Sequence, residues 1–385
     1  MNFDQFDIPR DVLMFSTADW DEPLWTNKQQ IASRLAGEFR VLYVEPLASL
    51  RSRKRSHSHR ILEDPSGVTV LRPPGAVPFG QKIAGINEIN HRMLAPIVQG
   101  ELARREFVDP ILWLYPPTSA PMLSLYPFSV SLYDCVDEYS AMPGAWMAAT
   151  KGMERALLKN VDCVTTTART LFEDKKAYNN NTHFVPNVAD FEHFHKTMTA
   201  KADPAIEAMP RPVVGFVGAL NYKLDDELID KIANARPDWH FVFVGPDRGF
   251  GVERFRQRHN LHFLGRRHIE DLPTVMAAMD VCWIPYRLDR YTRGVLPMKF
   301  YEYLASGRPV VATRLPELEA FEEHIGLAQS VESFVTAIEE QRAKKNDPTA
   351  REARIALARE NSWEKRIGQI LGHLETTWRH KRQSR

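Results

Sequence analysis

The stretch Leu296–Thr313, LPMKFYEYLASGRPVVAT, runs a helical pattern directly into a strand pattern. Pro297 suits the first turn of a helix, where its missing N–H would have no partner anyway, and Gly307 followed by Pro309 marks the stop. The next run, RPVVAT (308–313), is short and β-branched, as a buried parallel strand should be. Inside the helix Phe300 and Leu304 lie one turn apart, while Lys299, Glu302 and Ser306 share the other face. The two charges admit two readings. As a surface ion pair at i,i+3 they would contribute about 0–1 kcal/mol. Alternatively, the helix N-terminus accepts a diphosphate, Lys299 adds charge, and Glu302 accepts hydrogen bonds from ribose hydroxyls. Arg287, Arg290 and Arg293 in the preceding loop strengthen the case for an anion site.

Working outward, the same rhythm fills the chain. Apolar, β-rich runs stand at 11–17, 40–46, 67–73, 111–115, 129–134 and 162–167, separated by helical patterns. A softer, proline-bearing stretch at 196–212 reads as a linker. The rhythm restarts at 212–220, 239–245, 261–265, 280–286 and 308–313. The fold class expected is α/β, with two doubly wound parallel-sheet (Rossmann-like) domains. Near the end, Trp363, Ile367, Ile370, Leu371, Leu374 and Trp378 recur at helical spacing, and Asn361 with Glu364 resembles a capping box. That apolar face requires a surface to pack on.

The 385 residues, 44% hydrophobic and 26% charged, fit an ordinary globular protein large enough for two domains. The N-terminus has no basic region followed by an apolar run, and the three cysteines are isolated, which together favour a cytoplasmic location. The uncharged stretch 111–133 carries four prolines and cannot form a spanning helix. Net charge is +1, yet residues 51–60 (RSRKRSHSHR) hold five Lys or Arg and no acid. This segment is either a solvated loop or a contact with an anionic membrane, where each such residue contributes on the order of 1 kcal/mol. Nucleic acid is not expected, because no aromatics interleave with these charges. No cluster of His, Cys and carboxylates has ligand spacing, so neither a metal nor another cofactor is expected.

The opening stretch, with GFVGALNYKLDDELI (215–229), LHFLGRR (261–267), DLPTVMAAMDVCWIPY (271–286), SLYDCVDEYS (131–140) and HFVPNVADFEHF (183–194), resembles the GT-B fold glycosyltransferases, in particular the bacterial retaining family four, or group 1. The resemblance implies two domains facing a cleft: 1–197 for the acceptor, 210–361 for a nucleotide-sugar donor, and 362–385 as a helix returning to the N-terminal domain. It places Glu302 at the ribose, Lys299 and the backbone of Pro297 and Met298 at the diphosphate, Gly218 and Lys223 in a phosphate-binding loop, and Arg266 in the loop packing against the base. Two departures stand out. Gly294 occupies the position where the family often has a Glu contacting the donor sugar, and Asn221 and Tyr222 precede a single Lys223 where an Arg and Lys pair is usual. Arg293 is the candidate to supply the missing charge.

Transfer of a sugar from a nucleoside diphosphate, UDP being the first expectation, develops charge on the departing diphosphate; Lys223, Arg293, Lys299 and the helix end would stabilise it. In the first domain Asp19 and Asp21 follow the first strand, and Asp134, Asp137 and Glu138 follow SVSLYD. Asp19 and Asp137 are the candidates for deprotonating an acceptor hydroxyl if configuration inverts. His193 and His195 read as surface residues. The function expected is transfer to a polysaccharide or lipid-linked glycan acceptor at the inner face of the cell membrane. The competing readings are a nucleotide-sugar epimerase, a non-catalytic nucleotide-sugar-binding protein, and a dehydrogenase, the last opposed by the absence of G-x-G-x-x-G.

Overall fold

A computed structural model describes residues 3–48 and 58–383. Most of the basic segment, residues 51–57, therefore lies outside the described residues. The chain divides into two compact units, one running to Pro186 and taking in the chain again from Arg366, the other spanning Asn187–Lys365.

The first unit is built on eight strands: β1 (Asp11–Phe15), β2 (Arg40–Val44), β3 (Arg60–Glu63), β4 (Thr69–Arg72), β5 (Ile111–Leu114), β6 (Ser131–Cys135), β7 (Cys163–Thr166) and β8 (Thr182–Phe184). Their order is β3-β4-β2-β1-β5-β6-β7-β8. All pair in parallel except β3, which runs antiparallel to β4. β1 and β5 are buried along their whole length, which is why they read as unbroken apolar runs. β3, RILE, is largely exposed and has only two apolar residues between charged ones, so periodicity does not reveal it.

The second unit has six parallel strands: β9 (Val213–Val217), β10 (His240–Val244), β11 (Leu261–Phe263), β12 (Val281–Ile284), β13 (Val310–Thr313) and β14 (Gly326–Ala328). Their order is β11-β10-β9-β12-β13-β14. The order reverses between β9 and β12, the switch point at whose carboxyl ends a doubly wound sheet leaves a crevice. Trp239, Phe241, Phe243 and Trp283 fill the core beneath it.

The proline-bearing stretch 196–212 lies inside the second unit rather than between the two. Asp203 caps the short helix Pro204–Glu207, and Ile206 is buried in the core of that unit. Its polar composition reflects capping, not freedom.

The helix Trp363–Gln383 buries Ile367, Ile370, Leu371 and Leu374. Arg366, fully buried, donates to both oxygens of Asp134 in β6, at 3.2 and 3.4 Å, and to the carbonyls of Val185 and Pro186. Thr377 accepts from Asn181 Nδ2 at 2.9 Å, and Lys381 pairs with Asp162 at 2.6 Å. The start of this helix differs from the expected capping box. Ser362 Oγ accepts from Lys365 N–H at 3.4 Å, while Asn361 donates to Leu357 O at 2.8 Å and so serves the preceding helix Pro348–Arg359.

Candidate active site

The site begins where two loops of the second unit are tied together at the switch point. After β9 the chain runs through 218–225; after β12 it runs through 285–297. Asp225 N–H donates to Pro285 O at 2.9 Å, and Arg287 N–H to Lys223 O at 2.8 Å. The second loop is also braced from within. Asp289 Oδ1 accepts from the N–H groups of Tyr291 and Thr292, both at 2.9 Å, and Thr292 Oγ1 donates to Arg287 O at 2.6 Å.

This bracing delivers the chain to the helix Met298–Ala305, with Pro297 as N-cap rather than inside the first turn and no side chain capping it. A helix N-terminus of that kind carries unsatisfied N–H groups and the positive end of the dipole. Phe300, Tyr301, Tyr303, Leu304 and Ala305 are buried, a wider face than two apolar residues a turn apart imply. Ser306 is also buried, its hydroxyl donating to Tyr303 O at 2.6 Å, so it does not share an open face with the charges.

Lys299 and Glu302 make no ion pair with each other. Lys299 Nζ donates instead to Tyr286 Oη at 2.8 Å and lies 5.1 Å from the centre of the Phe216 ring. It can lie there because Gly218, at φ +142°, has no side chain: a Cβ would stand 3.0 Å from Lys299 Cε. Gly245, directly after the neighbouring strand β10, makes a similar allowance, since a Cβ on it would fall 1.9 Å from the Gly218 carbonyl oxygen. Lys223 Nζ sits 6.0 Å from the Tyr286 ring centre and 5.7 Å from that of Tyr291. Among the described residues, neither ammonium forms an ion pair with a carboxylate.

The electrostatics follow from this packing. Burial works against the charge on Lys299, but Tyr286 and Glu302 outweigh it, so the amine titrates higher than usual and stays cationic. Burial alone would raise the Tyr286 phenol; Lys299 and Lys223 reverse that and bring it below its ordinary value. Burial pushes the Glu302 carboxyl up to about 7, with Lys299 pulling it down and Asp190 adding to the rise. The arrangement is a cluster of two cations around a tyrosine, with one half-buried carboxyl a turn along the helix.

The remaining predicted residues fall around this centre unevenly. Met298 is partly buried at the helix start. Arg293 is exposed in the braced loop, its N–H bonded to Asp289 O. Arg266 is exposed just after β11. Arg287 does not add free charge, because it bonds Asp226 at 2.8 Å and the Leu224 carbonyl at 3.0 Å. Tyr286 is not among the residues that sequence reasoning selects. It reads there as the end of a strand, and the one signal available is an aromatic with a hydroxyl directly after Pro285 at a strand's carboxyl end.

In the first unit Asp19 follows β1 and is partly buried, its carbonyl accepting from Gln29 Nε2 at 2.9 Å. Asp137 follows β6 and is likewise partly buried. Asp134 is inside β6, committed to Arg366 and Thr165, and therefore structural. His193 and His195 are not free surface residues. Their ring nitrogens lie 2.8 Å from Ile269 O and 3.3 Å from Ala305 O.

Residues 211–342 match the family described as Glycosyl transferases group 1. That span contains Gly218, Lys223, Tyr286, Lys299 and Glu302. The chain is a glycosyltransferase, similar over that span to those of group 1. The enzyme is 28% identical over 280 residues, 68% of its own length and 70% of the relative's, to TuaH of Bacillus subtilis (strain 168), provisionally named a teichuronic acid biosynthesis glycosyltransferase. Among solved structures it is similar to sucrose-phosphate synthase from Thermosynechococcus elongatus, with TM-score 0.71, 16% identity and 98% and 100% of the two chains covered. It is similar also to Anabaena HepE, solved in complex with UDP and glucose, with TM-score 0.63, 16% identity and 94% and 98% covered. These likenesses establish the GT-B fold of the transferase.

Proposed function

We propose that the enzyme moves a sugar from a nucleoside-diphosphate donor, with UDP as the nucleotide, to a polysaccharide or lipid-linked glycan acceptor. The observation that carries this reading is the convergence of Lys223 and Lys299, without carboxylate partners, beside an uncapped helix N-terminus whose next turn bears Glu302. Fixed cations there meet the charge that develops on a departing diphosphate. Glu302 accepts from the ribose hydroxyls, and exposed Arg293 and Arg266 supply further contacts to the donor. The UDP and glucose in HepE and the polymer in the name of TuaH support the donor and acceptor classes.

The acceptor falls to the first unit, with Asp137 and Asp19 as the carboxylates available for deprotonation. No helix among the described residues is long and apolar enough to cross a membrane. A peripheral contact with the cytoplasmic face of an anionic membrane is supported by a different feature: Phe79, Ile83 and Trp146 are exposed, and Lys82 Nζ lies 5.9 Å from the Phe79 ring and 4.8 Å from that of Trp146. Aromatic and lysine side chains of this kind favour a bilayer interface.

Titration calorimetry with UDP, GDP and ADP on the wild type and Glu302→Ala tests the donor reading. One nucleotide is expected to bind at micromolar strength and to weaken in the variant. Equal affinity for Glu302→Ala, or indifference to all three nucleotides, would refute it.

A further inference from the structure

Tyr286 is the third member of the cationic cluster, and nothing in the fold requires its hydroxyl. The side chain is 3% exposed, yet its Oη has one partner, the Lys299 ammonium at 2.8 Å. Among the described residues no group accepts the phenol's own proton. The ring serves both lysines at once, with Lys299 Nζ 5.4 Å and Lys223 Nζ 6.0 Å from its centre. The backbone on either side is pinned: Thr313 Oγ1 donates to Tyr286 O at 2.6 Å, and Leu224 forms an antiparallel bridge with Tyr286. A rigid phenol held this way restricts two otherwise flexible ammonium groups, whose side chains would lose rotamer freedom on binding.

We propose that Tyr286 is a positioning residue of the transfer reaction, holding Lys299 by hydrogen bond and Lys223 by its ring so that both ammonium groups are in place before the diphosphate arrives. The inference rests on the donor-site reading above. Preorganisation of this kind lowers the cost of binding and keeps the cations fixed while charge develops on the leaving group. Because the hydroxyl acts through Lys299, its contribution disappears when that lysine is gone.

The test is a double-mutant cycle on UDP binding, measured by calorimetry with wild type, Tyr286→Phe, Lys299→Met and the double variant. Tyr286→Phe keeps the ring and removes only the oxygen. It is expected to weaken UDP binding about tenfold or more, as loss of a charge-assisted hydrogen bond does. In the double variant the loss should equal that of Lys299→Met alone. Strictly additive losses, or full affinity in Tyr286→Phe, would overturn the proposal. So would loss of a cooperative melt in Tyr286→Phe, which would assign the hydroxyl to folding instead. If Lys299→Met itself binds UDP as well as wild type, the donor-site reading fails and this inference falls with it; a sensitive Lys299→Met with an insensitive Tyr286→Phe refutes this inference alone.

Discussion

Replacing Glu302 by Gln should stabilise the free protein at alkaline pH while impairing nucleotide binding. The carboxyl is held at about 7 in the fold against 4.5 when unperturbed, chiefly because burial penalises the anion. The sign follows from proton counting. Between those two values the folded state binds more protons than the unfolded chain, so Glu302 makes stability fall as pH rises from about 4.5 to about 7, and the penalty is complete above that. A shift of this size corresponds to about 3 kcal/mol at one pKa unit per 1.36 kcal/mol, an upper figure because the side chain is not fully shielded from water. Gln removes the penalty, together with the Lys299 and Asp190 contributions already contained in the net shift. Thermal melts of wild type and Glu302→Gln at pH 4.5 and pH 8 read the difference, and other titrating groups cancel in the comparison. At about 2–4 °C per kcal/mol for a unit of this size, Glu302→Gln should melt up to about 10 °C higher at pH 8 and level with wild type at pH 4.5. UDP affinity at pH 8 should fall tenfold or more, since a neutral amide replaces a charged acceptor. A variant that melts lower than wild type at pH 8, or by a margin that ignores pH, would refute the reasoning.

Removing Arg366 as Arg366→Met should cost about 3–5 kcal/mol, because Asp134 would be left charged and unpaired in the core, whereas pairing it with Asp134→Leu should restore much of the loss in a denaturant titration. A second pH effect belongs to the stacked rings of His183 and His373, whose centres lie 3.7 Å apart between β8 and the helix Trp363–Gln383. Burial, and for His183 the neighbouring ring, hold both imidazoles below their usual range, His183 down to about 4. A depressed histidine contributes stability that is present above pH 6.5 and lost as pH falls toward 4, so the first unit should loosen over that window and His183→Phe should flatten the dependence in melts monitored by circular dichroism.

Much of the architecture was legible because parallel strands buried on both faces must be apolar throughout. All eleven apolar runs read as strands became strands. The three that escaped, β3, β8 and β14, are four residues or fewer and lie at or toward sheet edges, where the apolar signal is short or absent. In the candidate site, Lys299 and Glu302 were read from charge at a helix start, and Lys223 from the resemblance of its loop to the family. Tyr286 was not, because a tyrosine at a strand end reads as core until its hydroxyl is seen to have a lysine as its partner. Asp134, beside the candidate Asp137 at the same strand end, shows how little position alone decides: a distant arginine claims it for the core.

The sequence by itself determined two α/β units, the order of their strands along the chain, and the helix that presents Lys299 and Glu302, since these follow from periodicity, caps and breakers that act within a few residues. Tertiary structure alone decided the partners. Lys299 turns from Glu302 to Tyr286, Arg366 reaches Asp134 across more than two hundred residues, and the Glu302 carboxyl rises to about 7. Each of these depends on burial and on contacts between segments remote in the chain, and the free energy of a charge is set by what surrounds it in space.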